Sequence, residues 1–176
     1  MADQQITNPE LIEAIAAMRA DFNPDTQNIV INKALRGTFY VPAIIEKKKE
    51  IVANANNEVK FEEKPKARFL LIRKKDGDKD DTYFPAFTDA EELAKFKSDE
   101  PYQRVKMKFG DLAMLVEQVP AIKGFVINPM PHNLPFTREM LDGIKKVLIK
   151  RRNEQQAAAA KADDTKATEA AESAEE

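Results

Sequence analysis

The chain carries a single imidazole, and it is the obvious place to look for chemistry. His132 stands between Pro131 and Asn133, in a loop that leaves the apolar run Gly124-Phe125-Val126-Ile127-Asn128. Loops at strand ends are where α/β sheets hold ligands, so a general-base role for His132 is conceivable. Nothing in the sequence completes a catalytic set around it. The only serines are Ser98 and Ser173, neither in a Gly-x-Ser-x-Gly elbow, and no Cys is present to act as nucleophile. The five Gly are isolated, so there is no glycine-rich phosphate loop. Asp76, Asp78 and Asp80 alternate as in a calcium loop, but the sixth place is Asp81 rather than Gly and the twelfth is Phe87 rather than Glu. With no Cys and one His, zinc and iron–sulfur centres lack a donor set. The expectation is a protein that is not an enzyme and needs neither metal nor cofactor.

Two groups of residues suit binding better. The Asn128–Asn133 loop and the Phe84–Thr88 segment both lie at the ends of apolar strands and are stiffened by proline. Phe84, Phe87, Asn128, Pro129, His132 and Asn133 are therefore candidate contact residues for another protein. The competing reading is that Phe84 and Phe87 are core and that Asn128-Pro129 only turns the chain. The second group is a candidate anion-binding set, the basic end of the last helix (Lys145, Lys146, Lys150, Arg151 and Arg152) together with the strand residues Arg104, Lys106 and Lys108. A period of two puts these three strand residues on one face, with Val105 and Met107 on the other. Such a face can hold phosphates or an acidic partner, or simply keep an edge strand from pairing. Only Tyr102 adds an aromatic nearby, which argues against a stacking platform for single-stranded nucleic acid.

The elements that must position these residues are readable in outline. Asn8-Pro9 marks a helix start, followed by Leu11, Ile15, Met18 and Phe22 in one apolar stripe. Asn23-Pro24-Asp25 repeats the signal for a second helix, with Gly37 as its left-handed cap. Thr38 to Ile45 reads as a strand confined by Pro42 to an edge or a bend. Glu46 to Lys66 is charged and reads as a mobile connection, with room for a short strand at Val59 to Phe61. Arg68 to Arg73 looks like a strand buried on both faces, and Asp76-Gly77 signals a hairpin into Tyr83–Phe87. Thr88-Asp89-Ala90-Glu91 forms a capping box, Asp111 caps a helix that Pro120 ends, and Thr137 caps the last helix.

The net charge of -2 averages two unlike parts. Residues 153–176 hold two Lys and seven acidic residues, with Ala as the only apolar side chain, and read as a disordered acidic tail. The remaining 1–152 is mildly basic at +3 and forms one domain. That small excess argues against strong nucleic-acid affinity. No apolar run is long enough to span a bilayer and none follows Met1, so a cytoplasmic location is expected. The fold class is α+β: a mixed, mainly antiparallel sheet of about five strands with packed helices, two of them N-terminal.

Three segments carry a family resemblance. They are Phe84-Pro85-Ala86-Phe87-Thr88 with Asp89-Ala90-Glu91-Glu92-Leu93, then Phe109-Gly110-Asp111-Leu112, then Gly124-Phe125-Val126-Ile127-Asn128-Pro129 leading to Phe136-Thr137-Arg138-Glu139. In this order and spacing, over roughly residues 8–150, the chain resembles the N-terminal domain of the SseB family, named for enhanced serine sensitivity. The resemblance implies a small bacterial cytosolic protein without established catalytic residues. It also brings a link to serine sensitivity and to the enhancement of a rhodanese-type sulfurtransferase. Many members carry a second, C-terminal domain where this chain has its acidic tail. A protein without Cys cannot carry a persulfide, so any help to sulfur transfer would come through binding a partner enzyme.

Overall fold

The computed structural model describes the backbone of residues 5–53, 59–76 and 79–172, and the side chains of 5–46, 66–75 and 80–160. Helix α1 (Pro9–Ala20) begins at Asn8-Pro9, where a proline at the first position gives up no helical hydrogen bond. The Asn8 side chain does not cap it. Its Nδ2 donates instead to the Thr38 and Thr88 carbonyls, at 2.9 and 2.7 Å. Leu11 and Ile15 are buried, but the stripe fails at Phe22, which lies beyond the helix and is 74% exposed. Helix α2 (Pro24–Arg36) starts on a capping box: Asn23 Oδ1 accepts from Thr26 N–H, and the Thr26 hydroxyl accepts from Asn23 N–H. Gly37 then leaves in extended, not left-handed, backbone. A Cβ there would stand 2.7 Å from the ring of buried Phe39, so packing rather than a turn demands the glycine.

The elements that follow are β1 (Thr38–Ala53), β2 (Val59–Phe69), β3 (Ile72–Asp76), β4 (Lys79–Ala86), α3 (Ala90–Ala94), β5 (Gln103–Lys108), α4 (Phe109–Gln118), β6 (Gly124–Ile127), β7 (Leu134–Thr137) and α5 (Arg138–Glu172). The fold class is α+β with antiparallel pairing dominant, as expected. The strands divide into two sheets, β2-β1-β5 and β3-β4-β6-β7, rather than one of about five. One feature makes the division and another spans it. The chain switches sheets at Leu70–Leu71, so Arg68 to Arg73 is not one buried strand, and Leu71 is 45% exposed at the switch. Tyr40 and Phe87 exchange both backbone hydrogen bonds at 2.9 Å, and this bridge joins the sheets.

β1 is the middle strand of its sheet, so Pro42 is not at an edge. Its carbonyl accepts from Leu70 N–H at 3.0 Å, beyond the last β1–β2 pair, Ala43↔Phe69. The missing N–H points to that same side, where the ladder has already ended. The charged stretch from Glu46 to Lys66 is no loose connection: β1 and β2 pair from Ala43↔Phe69 to Ala53↔Val59. Ladder bonds are made by backbone and need no apolar pattern, which is why the composition hides them. The side chains of Lys47, Lys48 and Lys49, and residues 54–58 with Asn54, Asn56 and Asn57, lie outside the described residues. So do Gly77 and Asp78 of the acidic turn, although Asp76↔Lys79 closes the expected hairpin.

Two caps move by short distances. Asp89, not Thr88, caps α3, accepting from Glu92 N–H at 2.8 Å. Asp111 serves α4 from inside its first turn, accepting from Lys108 N–H at 3.1 Å. The core of the second sheet centres on β6, buried throughout. Phe109, Phe125 and Phe136 form a ring triangle with centroids 5.1 to 5.2 Å apart. Burying each such ring stabilises the fold by about 1.5–3 kcal/mol. Tyr40, Phe87 and Leu93 form a smaller cluster, backed by Ile6, Phe96 and Tyr102.

Residues from Arg138 form a unit of their own, the helix α5, which begins directly after Thr137. The segment from Asn153, read from sequence as a disordered tail, continues this helix to Glu172. Ala, Glu, Gln and Lys favour helix without needing a core. The described side chains from Lys145 to Ala160 are all exposed, so this stretch has none. No described helix is long and apolar enough to cross a membrane.

Candidate functional site

β4 and β6 run parallel, from Tyr83↔Gly124 to Ala86↔Ile127, so their carboxyl ends lie side by side. That is where open sheets expose a crevice, because the two chains leave in different directions. After β6, Asn128 extends the pairing by donating its N–H to Ala86 O at 2.8 Å and then turns with φ 45°. Asn tolerates this left-handed backbone better than most residues. The Asn128 carbonyl accepts from His132 N–H and Asn133 N–H, at 3.1 and 2.7 Å, which closes the loop. Asn133, also at φ 45°, sends the chain back as β7.

The Asn128 side chain is buried and reaches the end of β4. Its Oδ1 accepts from Thr88 N–H at 3.0 Å, and its Nδ2 donates to Thr88 Oγ1 at 2.8 Å. The Thr88 hydroxyl donates onward to Asp89, and its carbonyl accepts from Asn8. Every polar group of buried Thr88 is thus satisfied by a side chain. The two segments singled out in the sequence, 84–88 and 128–133, are therefore joined, and Thr88 and Asn128 are the atoms that join them.

Two further elements brace the loop. Arg19 of α1 donates to the carbonyls of Pro131, at 3.1 Å, and of His132. Lys74 of β3 donates to Asn133 Oδ1 at 2.7 Å and stands 6.0 Å from the Tyr83 ring centre. His132 is half-buried, and its Nδ1 is buried without a hydrogen bond among the described residues. Desolvation, and next the nearby Arg19 charge, lower its pKa. Both effects favour the neutral form of the imidazole.

Beside this loop is a cleft of about 340 Å³. Ile72, Phe96, Pro129 and Met130 give it apolar surface, and Met130 is 66% exposed. Arg73, Lys74, Lys97 and Asn133 supply polar groups, and none of the described lining residues is acidic. Of the candidate contact residues, Pro129 and Asn133 line the cleft. Asn128 and His132 are not in its lining, Asn128 being buried against Thr88, while Phe84 and Phe87 are buried, in the place the packing alternative gives them. The sequence reading missed Ile72, Arg73, Lys74, Phe96, Lys97 and Met130. Only the fold reveals them, since Lys74 meets Asn133 across 59 positions.

The cationic triad is divided. Arg104, Lys106 and Lys108 share one exposed face of β5, an edge strand, as the alternation requires. Arg104 lies 5.7 Å from the centre of the Tyr40 ring, while Lys106 lines a cavity of about 460 Å³ together with Arg36, Thr7 and Thr38. Among the described residues no cluster of His, Asp and Glu is arranged to hold a metal ion.

The family model for the SseB protein N-terminal domain matches residues 11–142. This chain belongs to the SseB family. The SseB match takes in both sheets, the Thr88–Asn128 junction and every residue lining the cleft, and it ends within the second turn of α5. No curated protein and no solved structure matches the chain.

Proposed function

We propose that this SseB-family chain acts by binding and not by catalysis, taking a segment of another protein into the cleft beside the Asn128–Asn133 loop and so modulating a partner enzyme. One observation carries the reading: the loop is held from three sides, by Thr88, Arg19 and Lys74, while its tip residue Met130 is left exposed. A wall fixed in advance loses little freedom when a ligand docks, and an exposed Met over apolar neighbours supplies adaptable contact. The His132 Nδ1, buried without a hydrogen bond among the described residues, suits this reading, because a general base needs a partner to hold it.

A photo-crosslinking side chain at Met130, with one at exposed Met114 of α4 as control, tests this in living cells. One protein crosslinked from 130 and not from 114, and lost when Phe96→Ala is added, is the expected result. Identical partners from both positions would remove the cleft from consideration.

The cavity shared by Lys106 and Arg36 favours a second reading, polyanion binding. It requires affinity for heparin that falls steeply with salt; a flat salt response would end it.

A further inference from the structure

The cleft is continuous with an unusual edge. β3 is the outermost strand of its sheet, and it carries Arg73, Lys74 and Lys75 in succession. The direction of its backbone groups follows from the ladder. Lys123 N–H donates to Thr82 O at 2.9 Å, so the Thr82 backbone faces β6 and not β3. Arg73↔Thr82 is therefore a pair without mutual hydrogen bonds, and the Arg73 N–H and C=O point away from the sheet. Lys75, two residues on, points the same way. Ile72 and Lys74 bond inward to β4, and their side chains share the face where the cleft lies.

We propose that an extended acidic segment of the partner adds to the Arg73 edge of β3, setting an apolar side chain opposite Ile72 and a carboxylate opposite Lys74. The proposal rests on the binding reading above and names the chemistry of its partner. Side chains directly across from each other on paired strands share a face, so only residues two apart reach the cleft together. The recognised pattern is apolar, any residue, acidic. The apolar side chain meets Ile72, Phe96 and Met130, which supply most of the affinity. The carboxylate meets Lys74, already fixed by Asn133, with Lys97 in the same lining. Exposed ion pairs contribute little each, so these cations select the sign of the partner and speed its arrival. They also repel the same edge of a second copy, which keeps β3 open for an acidic strand. At about 340 Å³ the cleft has room for a side chain or two and not for a folded domain.

The test is fluorescence anisotropy on the full chain with a labelled peptide of about ten residues, a usual strand length, alternating Leu-Thr-Glu-Thr. Three peptides serve as controls: Lys in place of Glu, Leu and Glu made adjacent, and N-methylation of alternate amides. Each control is expected to weaken binding at least about tenfold. Arg73→Pro removes the outward N–H without touching the β3–β4 ladder, whereas Arg73→Gln removes only the charge. The Pro variant, checked for folding by circular dichroism, should lose binding that the Gln variant largely keeps. Equal binding of the Lys peptide, or of the adjacent-residue peptide, overturns the proposal. So does an Arg73→Pro variant that folds and binds as well as Arg73→Gln. If no peptide binds while the Met130 crosslink persists, the acidic strand is wrong and the cleft reading survives. If the Met130 crosslink is absent as well, both fall.

Discussion

Replacing Asn128 probes the junction on which the site stands. In Asn128→Ala the buried Thr88 N–H loses its acceptor, while the Thr88 hydroxyl keeps Asp89. Leaving one buried donor unpaired costs about 1–3 kcal/mol. Holding an alanine at φ 45° adds at most about 1–2 kcal/mol, since asparagine carries the same Cβ and already meets part of that strain. The expected loss is therefore ~1–5 kcal/mol, a large share of the 5–15 kcal/mol typical of whole proteins. For a chain of this size that is a fall in Tm of roughly 2–20 °C. Asn128→Gly loses the same hydrogen bonds but relaxes the backbone. After its extra unfolded-state entropy is counted, it should exceed the Ala variant by about 1 kcal/mol. Urea titrations of wild type and both variants, with unchanged slopes, measure these differences. A Gly variant no more stable than the Ala variant would refute the left-handed assignment. An Ala variant within about 0.5 kcal/mol of wild type, the range of ordinary surface changes, would refute the bridge to Thr88. A double-mutant cycle with Thr88→Val then isolates the coupling between the two residues.

His132 gives a pH signature. Its folded pKa is lowered from 6.5, so between the folded value and 6.5 the unfolded chain holds more protons, and stability rises with pH. Acidifying through that window should cost stability, with no contribution from this residue above it, and His132→Asn should flatten the profile. As the only His, it gives one imidazole resonance whose midpoint in an NMR titration must fall below 6.5. Gly124→Ala would place a Cβ 2.0 Å from the Phe136 carbonyl oxygen and force β6 and β7 apart. A loss of at least about 3 kcal/mol in urea is expected, above the usual 1–3 kcal/mol of overpacking, because backbone rather than a side chain must move.

What the sequence made legible was what neighbouring residues decide among themselves. Asn23-Pro24 with Thr26 starts α2 by contacts within three positions, and the alternation from Arg104 to Lys108 sorts its own two faces. Thr88 misled because its strongest partner lies 40 positions away. A hydroxyl suited to capping a helix is drawn instead to Asn128, and the neighbouring Asp89 takes over the cap. β2 was hidden for a related reason, since its ladder with β1 is made by backbone beneath a charged sequence. Half of the candidate site was visible as the Asn128–Asn133 loop. The other half, Ile72 to Lys74 and Phe96 to Lys97, acquires meaning only when β3 and the turn after α3 are folded beside that loop.

Three of the asparagine amides that hold the structure share a neighbour. Asn8, which ties Thr38 to Thr88, precedes Pro9; Asn23, which caps α2, precedes Pro24; Asn128 precedes Pro129. Asparagine ages chiefly when the backbone nitrogen of the next residue attacks the side-chain amide and closes a succinimide ring. A proline nitrogen carries no hydrogen and is poorly placed to do so. The three amides, one capping α2 and two bonded to Thr88, are thus shielded from the slow reaction that would turn them into carboxylates. The same residue that sets the direction of the chain at each point also lengthens the chemical lifetime of the bond that anchors it.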